Sequence, residues 1–520
     1  MKLGWEVLLL HLKRSRNGTK AKTDFYISSM NHSGNMKISD GNYLRLSGRN
    51  LTVPFIIEIE TGGRMDELVC TGILRLLPGK RLVCSGKWNG LNVVVKFFLD
   101  LTDGKRHYAR EERGIKALES SGIITPKLLF SGASVSGKVP LLGFEEIVGS
   151  EDLKEVWEKA ESDGWRLDIL TGLMTIIAKQ HMSGICQDDP HIRNFLLSGE
   201  NMYTIDGDAV DVRYIGKPLS EKQSLINLGL FFAQFYPQYC NVIPDAFKAY
   251  VSQRKWMPSE ALYDCLMKEV RKFRYRGEKD YLKKIFREST SFVCDKSMRR
   301  YMICGRAYYD DAMAAFLNNP DAVLKEGKML KDGNSSTVLL VELSGRPLVV
   351  KRYNMKNMWH ALRRSYRQSR AWVSWRNAHL LKSIGVNTPN PVAMMEKRLG
   401  PLRSVSYILT EYVDGTDIHR LLNSDKAGEI DLPGLVKQFG ELLRRFVSSS
   451  ISHGDFKATN FILSDRGLFI ADIDTVRSHR LKWKFKKAFQ EDLVRLMQNW
   501  KNSPHIAAIF QDEISKINDQ

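Results

Sequence analysis

A chain of 520 residues is long enough for two or three domains, each able to bury a core of its own. Its composition is that of an ordinary soluble globular protein, 43% hydrophobic and 26% charged with 16 prolines and no low-complexity tract. The net charge of +19 implies an anionic partner, and nucleic acid, anionic lipid and phosphorylated glycans all qualify.

Seven cysteines, at 70, 84, 186, 240, 265, 294 and 304, form no C-x-x-C pair and no even framework, which suits a reducing compartment. No apolar run approaches the roughly 20 residues that span a bilayer. The segment Trp5–Leu12 is apolar but short and lacks a small-residue cleavage site, so it is expected to be neither signal peptide nor anchor. A cytosolic protein able to lie on the inner face of a membrane is the resulting bound.

Residues 13–50 are rich in Ser, Asn, Gly and Lys, and 1–50 reads as a polar extension of doubtful order. From Leu51 the chain turns strand-like: LTVPFIIEIE, ELVCTGILRLL, RLVCSGKW and LNVVVKFFL, bounded by Gly, Pro or Asn. An antiparallel sheet with a turn at Pro78-Gly79 is expected. Lys96 closes the run Val93–Val95, where by position alone a solvated lysine at a strand end is expected. A helix over about Tyr108–Ser120 carries Glu111 and Glu112, where a glutamate could pair with Lys96. Strands over Ile123–Phe130 and Leu141–Ile147, an apolar helix over Leu167–Met182 and a buried helix over Ser224–Phe235 follow. Residues 254–310 read as a basic helical connector, with a domain boundary near Asn318-Asn319-Pro320.

A second series then begins. Val323–Leu330, Val338–Leu343 and Leu348–Lys351 read as strands, turning at Lys331–Ser336 and at Gly345-Arg346-Pro347. Gly333 precedes Lys351 by 18 residues and Gly79 precedes Lys96 by 17, intervals that suit two strands folding over a nucleotide. Met355–Leu381 reads as a helical region. From Lys351 to Lys382 there are nine Lys or Arg and no acid, interleaved with aromatic residues, which favours an anion-binding surface over a merely solvated face. On a helix Arg363, Arg367 and Arg370 share one face, suited to pairing with phosphate or carboxylate groups. Helices over Val436–Ser448 and Phe489–Trp500 repeat those of the first half.

Two loops carry the chemistry. His453-Gly454-Asp455 is followed by Asn460 and, after a short hairpin, by Asp472 and Asp474. Gln187-Asp188-Asp189 is followed by Asn194 and then by Asp206 and Asp208. In both, Asn stands five residues and the next aspartate 17 residues after the first, and Phe with an aliphatic pair follows the Asn. Phosphoryl transfer from Mg-ATP needs this set: one carboxylate orients the attacking hydroxyl, while an Asn oxygen and a second carboxylate hold Mg²⁺. A motif repeated at matching offsets implies two related domains.

The pattern resembles the catalytic and metal loops of the protein-kinase-like superfamily. With LLPGKRLVCSGKWNG, VVVKFF, QDDPHIRNFLL and TIDGDAV in the first half, and LKDGNSSTV, LVVKRYN, SRAWVSWRNAHLL, TPNPV and HGDFKATNF in the second, the chain resembles the Kdo/heptose kinases of the lipopolysaccharide core over about 70–235 and 325–500. The resemblance implies an α+β fold of two tandem bilobal kinase-like domains, 51–318 and 319–520. It implies Asp189 and Asp455 as catalytic aspartates, Asn194, Asp206, Asn460 and Asp472 as Mg²⁺ ligands, and Lys96 and Lys351 as phosphate-binding lysines. Lys457 falls near the transferred phosphate, where the first copy has His191. Each copy departs from the pattern: the helix glutamate is Glu111 in the first but Ser374 in the second, and the loop histidine is His453 in the second but Gln187 in the first.

The expected function is therefore an ATP- and Mg²⁺-dependent phosphotransferase acting on a heptose or Kdo hydroxyl, at the cytoplasmic face of the inner membrane. Its partners would be the core glycolipid and the anionic membrane surface. A protein or small-molecule kinase of the same fold, and a non-catalytic nucleotide- or lipid-binding assembly factor, are the alternatives. Nucleic acid has no recognisable module behind it.

Overall fold

The computed structural model describes residues 27–30, 36–38, 40–354, 367–423 and 430–518. The chain forms two compact units, Met1–Gln234 with Val242–Arg271 and Phe235–Asn241 with Lys272–Gln520. Both mix helices with mainly antiparallel sheet.

In the first unit eight strands lie in the order Ile27–Met30, Met36–Ile38, Phe55–Thr61, Arg64–Leu77, Arg81–Trp88, Leu91–Phe98, Pro140–Glu145, Leu128–Ser134. Phe55–Thr61 also pairs with Leu128–Ser134, at Ile59↔Ser134 and Thr61↔Gly132, so six strands close into a ring. Alternation directs side chains to its two faces. Along Leu91–Phe98, Val93, Val95 and Phe97 join a core with Phe55, Ile57, Leu68 and Leu82, and Lys96 falls between them in the alternation.

The expected extension over 1–50 is too long. The turn of helix Asn42–Leu46 buries Tyr43 and Leu44 in that same core, and Arg45 Nε donates to the Leu99 carbonyl at 3.0 Å. Two apolar side chains suffice to anchor a segment whose composition is otherwise polar.

Helix α1 (Gly104–Ser120) lies in the chain between the ring strands Leu91–Phe98 and Leu128–Ser134. Helix α2 (Asp163–Met182) is capped by Ser162, whose hydroxyl accepts from the Trp165 amide. Helix α3 (Glu221–Phe232) starts at a reciprocal Ser220–Gln223 capping box, which satisfies two otherwise orphaned amides. Between α2 and α3 lies the hairpin Phe195–Ser198 with Asn201–Thr204.

The second unit has an open seven-stranded sheet in the order Phe292–Lys296, Arg300–Gly305, Pro391–Leu399, Leu402–Glu411, Arg346–Tyr353, Ser336–Leu343, Lys328–Gly333. The expected connector and boundary are corrected here. Residues 292–305 are strands, with Ile303 opposite Met394, and the division falls inside helix α4 (Glu260–Lys284) rather than near 318. FVCDK and RYMICG carry the β-branched and aromatic residues of a strand, and Tyr301–Cys304 are all buried.

Helices α5 (Arg370–Ser383), α6 (Leu432–Ser449) and α7 (Lys482–Gln498) complete the frame. The basic region is not one helical face. Ser369 caps α5 by accepting from the Trp372 amide at 3.0 Å, so Arg367 precedes the helix and Arg370 is its first residue. Arg363 lies outside the described residues. Of the interleaved aromatics, Trp375 is fully buried, donating to the Ile285 carbonyl, and Trp372 stacks on Phe286. No helix among the described residues is long and apolar enough to cross a membrane.

Candidate active site

The two loops share one hydrogen-bonding scheme. In the first unit Asn194 Nδ2 donates to the Asp189 carbonyl at 2.9 Å, and the Asn194 amide to His191 O at 2.8 Å. The His191 amide donates to Asp189 O at 2.8 Å, and the Ile205 amide to Asn194 O at 2.9 Å. In the second unit the partners of the same four bonds are Asn460 Nδ2 with Asp455 O (2.9 Å), Asn460 N with Lys457 O (2.9 Å), Lys457 N with Asp455 O (2.9 Å) and Ala471 N with Asn460 O (2.8 Å). Each Asn thereby spends its amide donor on the backbone. Its amide oxygen, the atom a hard cation takes, stays available.

The lysines differ. Lys96 Nζ pairs with Glu111 of α1 and donates to the Ile205 carbonyl at 2.8 Å. Glu111 is fully buried, and its carboxylate also accepts from the amides of Gly207 (3.3 Å) and Asp208 (3.0 Å). Burial raises the Glu111 pKa against the pull of Lys96, and Asp206 adds to the rise. The backbones of α1 and the Asp206 loop touch: a Cβ on Gly114 would stand 2.0 Å from Gly207 O, so neither glycine has room for a side chain.

In the second unit Ser374 takes the glutamate's place on α5, buried and hydrogen-bonded to Tyr353 Oη at 2.8 Å. Lys351 Nζ instead pairs directly with Asp472 Oδ1 at 2.5 Å. Asp472 adopts a left-handed backbone (φ 50°), unusual for a residue with a side chain. Burial pushes its carboxyl up, but Lys351 and neighbouring groups outweigh this and the net shift is downward. Arg370 Nε binds Asp474 Oδ2 at 2.5 Å and lies over the Tyr353 ring, which removes it from the expected glycolipid-facing surface. Gly333 ends the first arm of the hairpin Lys328–Gly333 with Ser336–Leu343, paired with Ser336 at its turn.

Around Asp455 stand Lys457 Nζ at 3.1 Å and Arg495 Nη1 of α7 at 3.0 Å. His453 is fully buried, with its pKa lowered to about 4 by desolvation, and its Nδ1 accepts from the Asp455 amide at 3.2 Å. In the first unit Gln187 is buried with both side-chain amide atoms unpartnered among the described residues. Asp208, counterpart of Asp474, is held by Arg81 (2.6 Å), His107 (2.8 Å) and Arg110 (3.4 Å).

Sequence reasoning missed the residues behind the loops. Asp492 accepts from the amides of His453 and Gly454, and burial raises its pKa to about 6. In the first unit Asn227 of α3 donates to Gln187 O at 2.7 Å and meets His181 Nε2 at 3.0 Å. The signal was present: Asn227 stands 38 residues after Asp189, and Asp492 stands 37 after Asp455.

Compared with curated proteins, the chain finds no match. A solved structure described as WaaP in complex with acyl carrier protein overlaps 39% of this chain and 89% of that one, at 17% identity and a TM-score of 0.30. Residues 318–513, which contain Lys351, Asp455, Asn460, Asp472 and Asp492, match the family model of the lipopolysaccharide kinase (Kdo/WaaP) family.

Proposed function

We propose that the chain is an ATP-dependent kinase of two tandem, bilobal kinase-like units, acting on a sugar hydroxyl of the lipopolysaccharide core. The observation that carries this reading is the shared four-bond scheme around Asp189–Asn194 and Asp455–Asn460, joined to a family match over the second of them. Asp455 would orient the acceptor hydroxyl as its proton is lost, with Lys457 beside the phosphoryl group. Lys351 would bind phosphate oxygens in exchange for part of its bond to Asp472. Lys96 with Glu111 and Asp189 would do the same in the first unit.

The residues fit a magnesium ion. Asn460 with Asp472, and Asn194 with Asp206, each offer the hard oxygen donors such an ion selects. Among the described residues no group of three or more His, Cys, Asp or Glu forms a cage, so two protein ligands would be completed by phosphate and water. When bound, the ion neutralises phosphate charge. The core glycolipid on an anionic inner-membrane surface remains the partner that accounts for the basic charge.

A second reading concerns the division of labour. Gln187 and Asn227 replace the buried His453–Asp492 arrangement, which favours transfer in the second unit and a supporting role for the first. The test is turnover of ATP with core oligosaccharide, set against a general protein substrate, in Asp189→Asn and Asp455→Asn. Loss on the order of 10²- to 10⁴-fold in Asp455→Asn alone supports this division. Loss of a different product phosphate in each variant would mean two active kinases, and no loss in either would leave a binding protein.

A further inference from the structure

Behind α5 the second unit has a cavity of about 530 Å³, placed between that helix, the segment following Asp474 and the start of α7. Arg376, Arg477, His479 and Lys484 line it, Trp372 forms an apolar wall, and no carboxylate is among its lining residues. None of these residues belongs to the Lys351–Asp455–Asp472 site. Arg376 gives one N–H to Asn377 Oδ1, and Glu278 is near enough to feel its charge. Among the described residues no carboxylate within ion-pair distance neutralises Arg477 or Lys484. His479 bears the mark of that field: its pKa is lowered by desolvation and then by Arg477 and Lys484.

The rim continues the pattern. From Arg477 to Gln490 the chain carries six cations, at 477, 480, 482, 484, 486 and 487, and no acid. All six are exposed. Among them Leu481 and Trp483 also stand in solvent, 49% and 64% exposed, while Phe485 and Phe489 anchor α7 in the core. An exposed Trp and Leu set among lysines is the side-chain mixture that settles at a bilayer interface: the ring sits at headgroup depth and the cations meet lipid phosphates. The cavity, lined by Arg376, Arg477, His479 and Lys484, suits an anionic group. A nucleic acid would call for a continuous basic track with several stacking rings instead.

We propose that this surface docks the protein on an anionic bilayer, with one phosphate-bearing lipid headgroup in the cavity and Trp483 and Leu481 in the headgroup layer. The proposal rests on the membrane partner of the proposed function but not on phosphotransfer, because binding is measured without ATP. It assigns membrane contact to the start of α7 in place of the Arg363–Arg370 segment.

The test is sedimentation of the full chain with phosphatidylcholine vesicles, with and without phosphatidylglycerol. Binding is expected only to the anionic vesicles. Arg477→Glu with Lys484→Glu should weaken it at least about tenfold, since each cation near such a surface is worth roughly 1 kcal/mol. Trp483→Phe, a mild change at an exposed site, should remove quenching of fluorescence by bromolipids. Failure of the wild-type chain to bind anionic vesicles overturns the proposal, as does equal binding by the charge-reversed variant. Binding of glycerol phosphate without vesicle binding would make the cavity a soluble-anion site. Binding of a DNA or RNA oligomer without vesicle binding would assign the patch to nucleic acid. Either result defeats the membrane assignment.

Discussion

The carboxylate of Asp492 accepts the amide hydrogen of His453 at 2.5 Å, and that of Gly454 at 2.8 Å, so α7 grips the backbone of the loop that carries Asp455. Asp492→Ala would leave two amides without their acceptor, at about 1–3 kcal/mol each. Asp492→Asn keeps the shape but can turn only one oxygen to two donors. A fall in kcat on the order of 10²-fold is expected for the Asn variant, with KM for ATP little changed, because a misplaced loop disorients the hydroxyl and leaves the nucleotide bound. Unaltered kcat would show that the loop holds its shape without this grip.

Glu111 should matter to stability as well as to any chemistry. Truncation to Ala strands the part-buried Lys96 cation and removes the acceptor for the Gly207 and Asp208 amides. Breaking a buried pair from one side costs about 3–5 kcal/mol. A large loss in denaturant midpoint is expected for Glu111→Ala, and a smaller one for the Glu111→Ala, Lys96→Met double variant, which leaves no stranded charge.

The metal prediction is a matter of charge at constant shape. Asp206→Asn with Asp472→Asn should abolish ATP turnover while circular dichroism stays native. The single variants then report which unit contributes. Unchanged turnover in the double variant would remove the kinase reading from both sites.

Acid should weaken the fold through its buried imidazoles. Desolvation lowers the pKa of His181 and of His453 from 6.5 to about 4. The unfolded chain therefore binds more protons between pH 6.5 and 4, so stability is full above 6.5 and falls as pH drops through this window. The ceiling is on the order of 3 kcal/mol for each histidine. Asp492 opposes the trend: its raised pKa adds stability that is fully present below pH 3.8 and lost as pH rises through about 6. In His453→Gln, which copies Gln187, the slope of melting temperature against pH over this window should be shallower.

Arg370→Ala should damage the site and leave glycolipid affinity alone. Asp474, with a side chain only 6% exposed, would lose its guanidinium partner. Since Arg370 itself is 35% exposed, solvent screening reduces the expected cost to on the order of 2 kcal/mol. Paired titrations with nucleotide and with core glycolipid check this; selective loss of glycolipid binding would restore the basic-face assignment.

The strands between Phe55 and Phe98 were legible because their alternation and turn residues act locally. The two Asp–Asn loops were legible because repetition made short motifs informative. Residues 292–305 were not, since a basic neighbourhood masked two strands that pair with each other and join the sheet only through Pro391–Leu399, some ninety residues on. The Arg370 face failed for a related reason: charge counting cannot see that Ser369 starts the helix or that Asp474 waits beyond the sheet. Asp492 and Asn227 look like ordinary helical polar residues, and only the folded backbone reveals what they hold.

The difference between a closed ring and an open sheet sets how each sheet can fray. In the first unit Arg64–Leu77 has partners on both sides, whereas Lys328–Gly333 is an edge strand of the second sheet, exposed along nearly its whole length. Deuterium would therefore enter the amides of Lys328–Gly333 by local fraying, while those of Arg64–Leu77 would wait for the ring to open as a whole. The hairpin at the edge of the second sheet can thus lift at little cost, whereas Arg64–Leu77 parts only with loss of pairing on both sides.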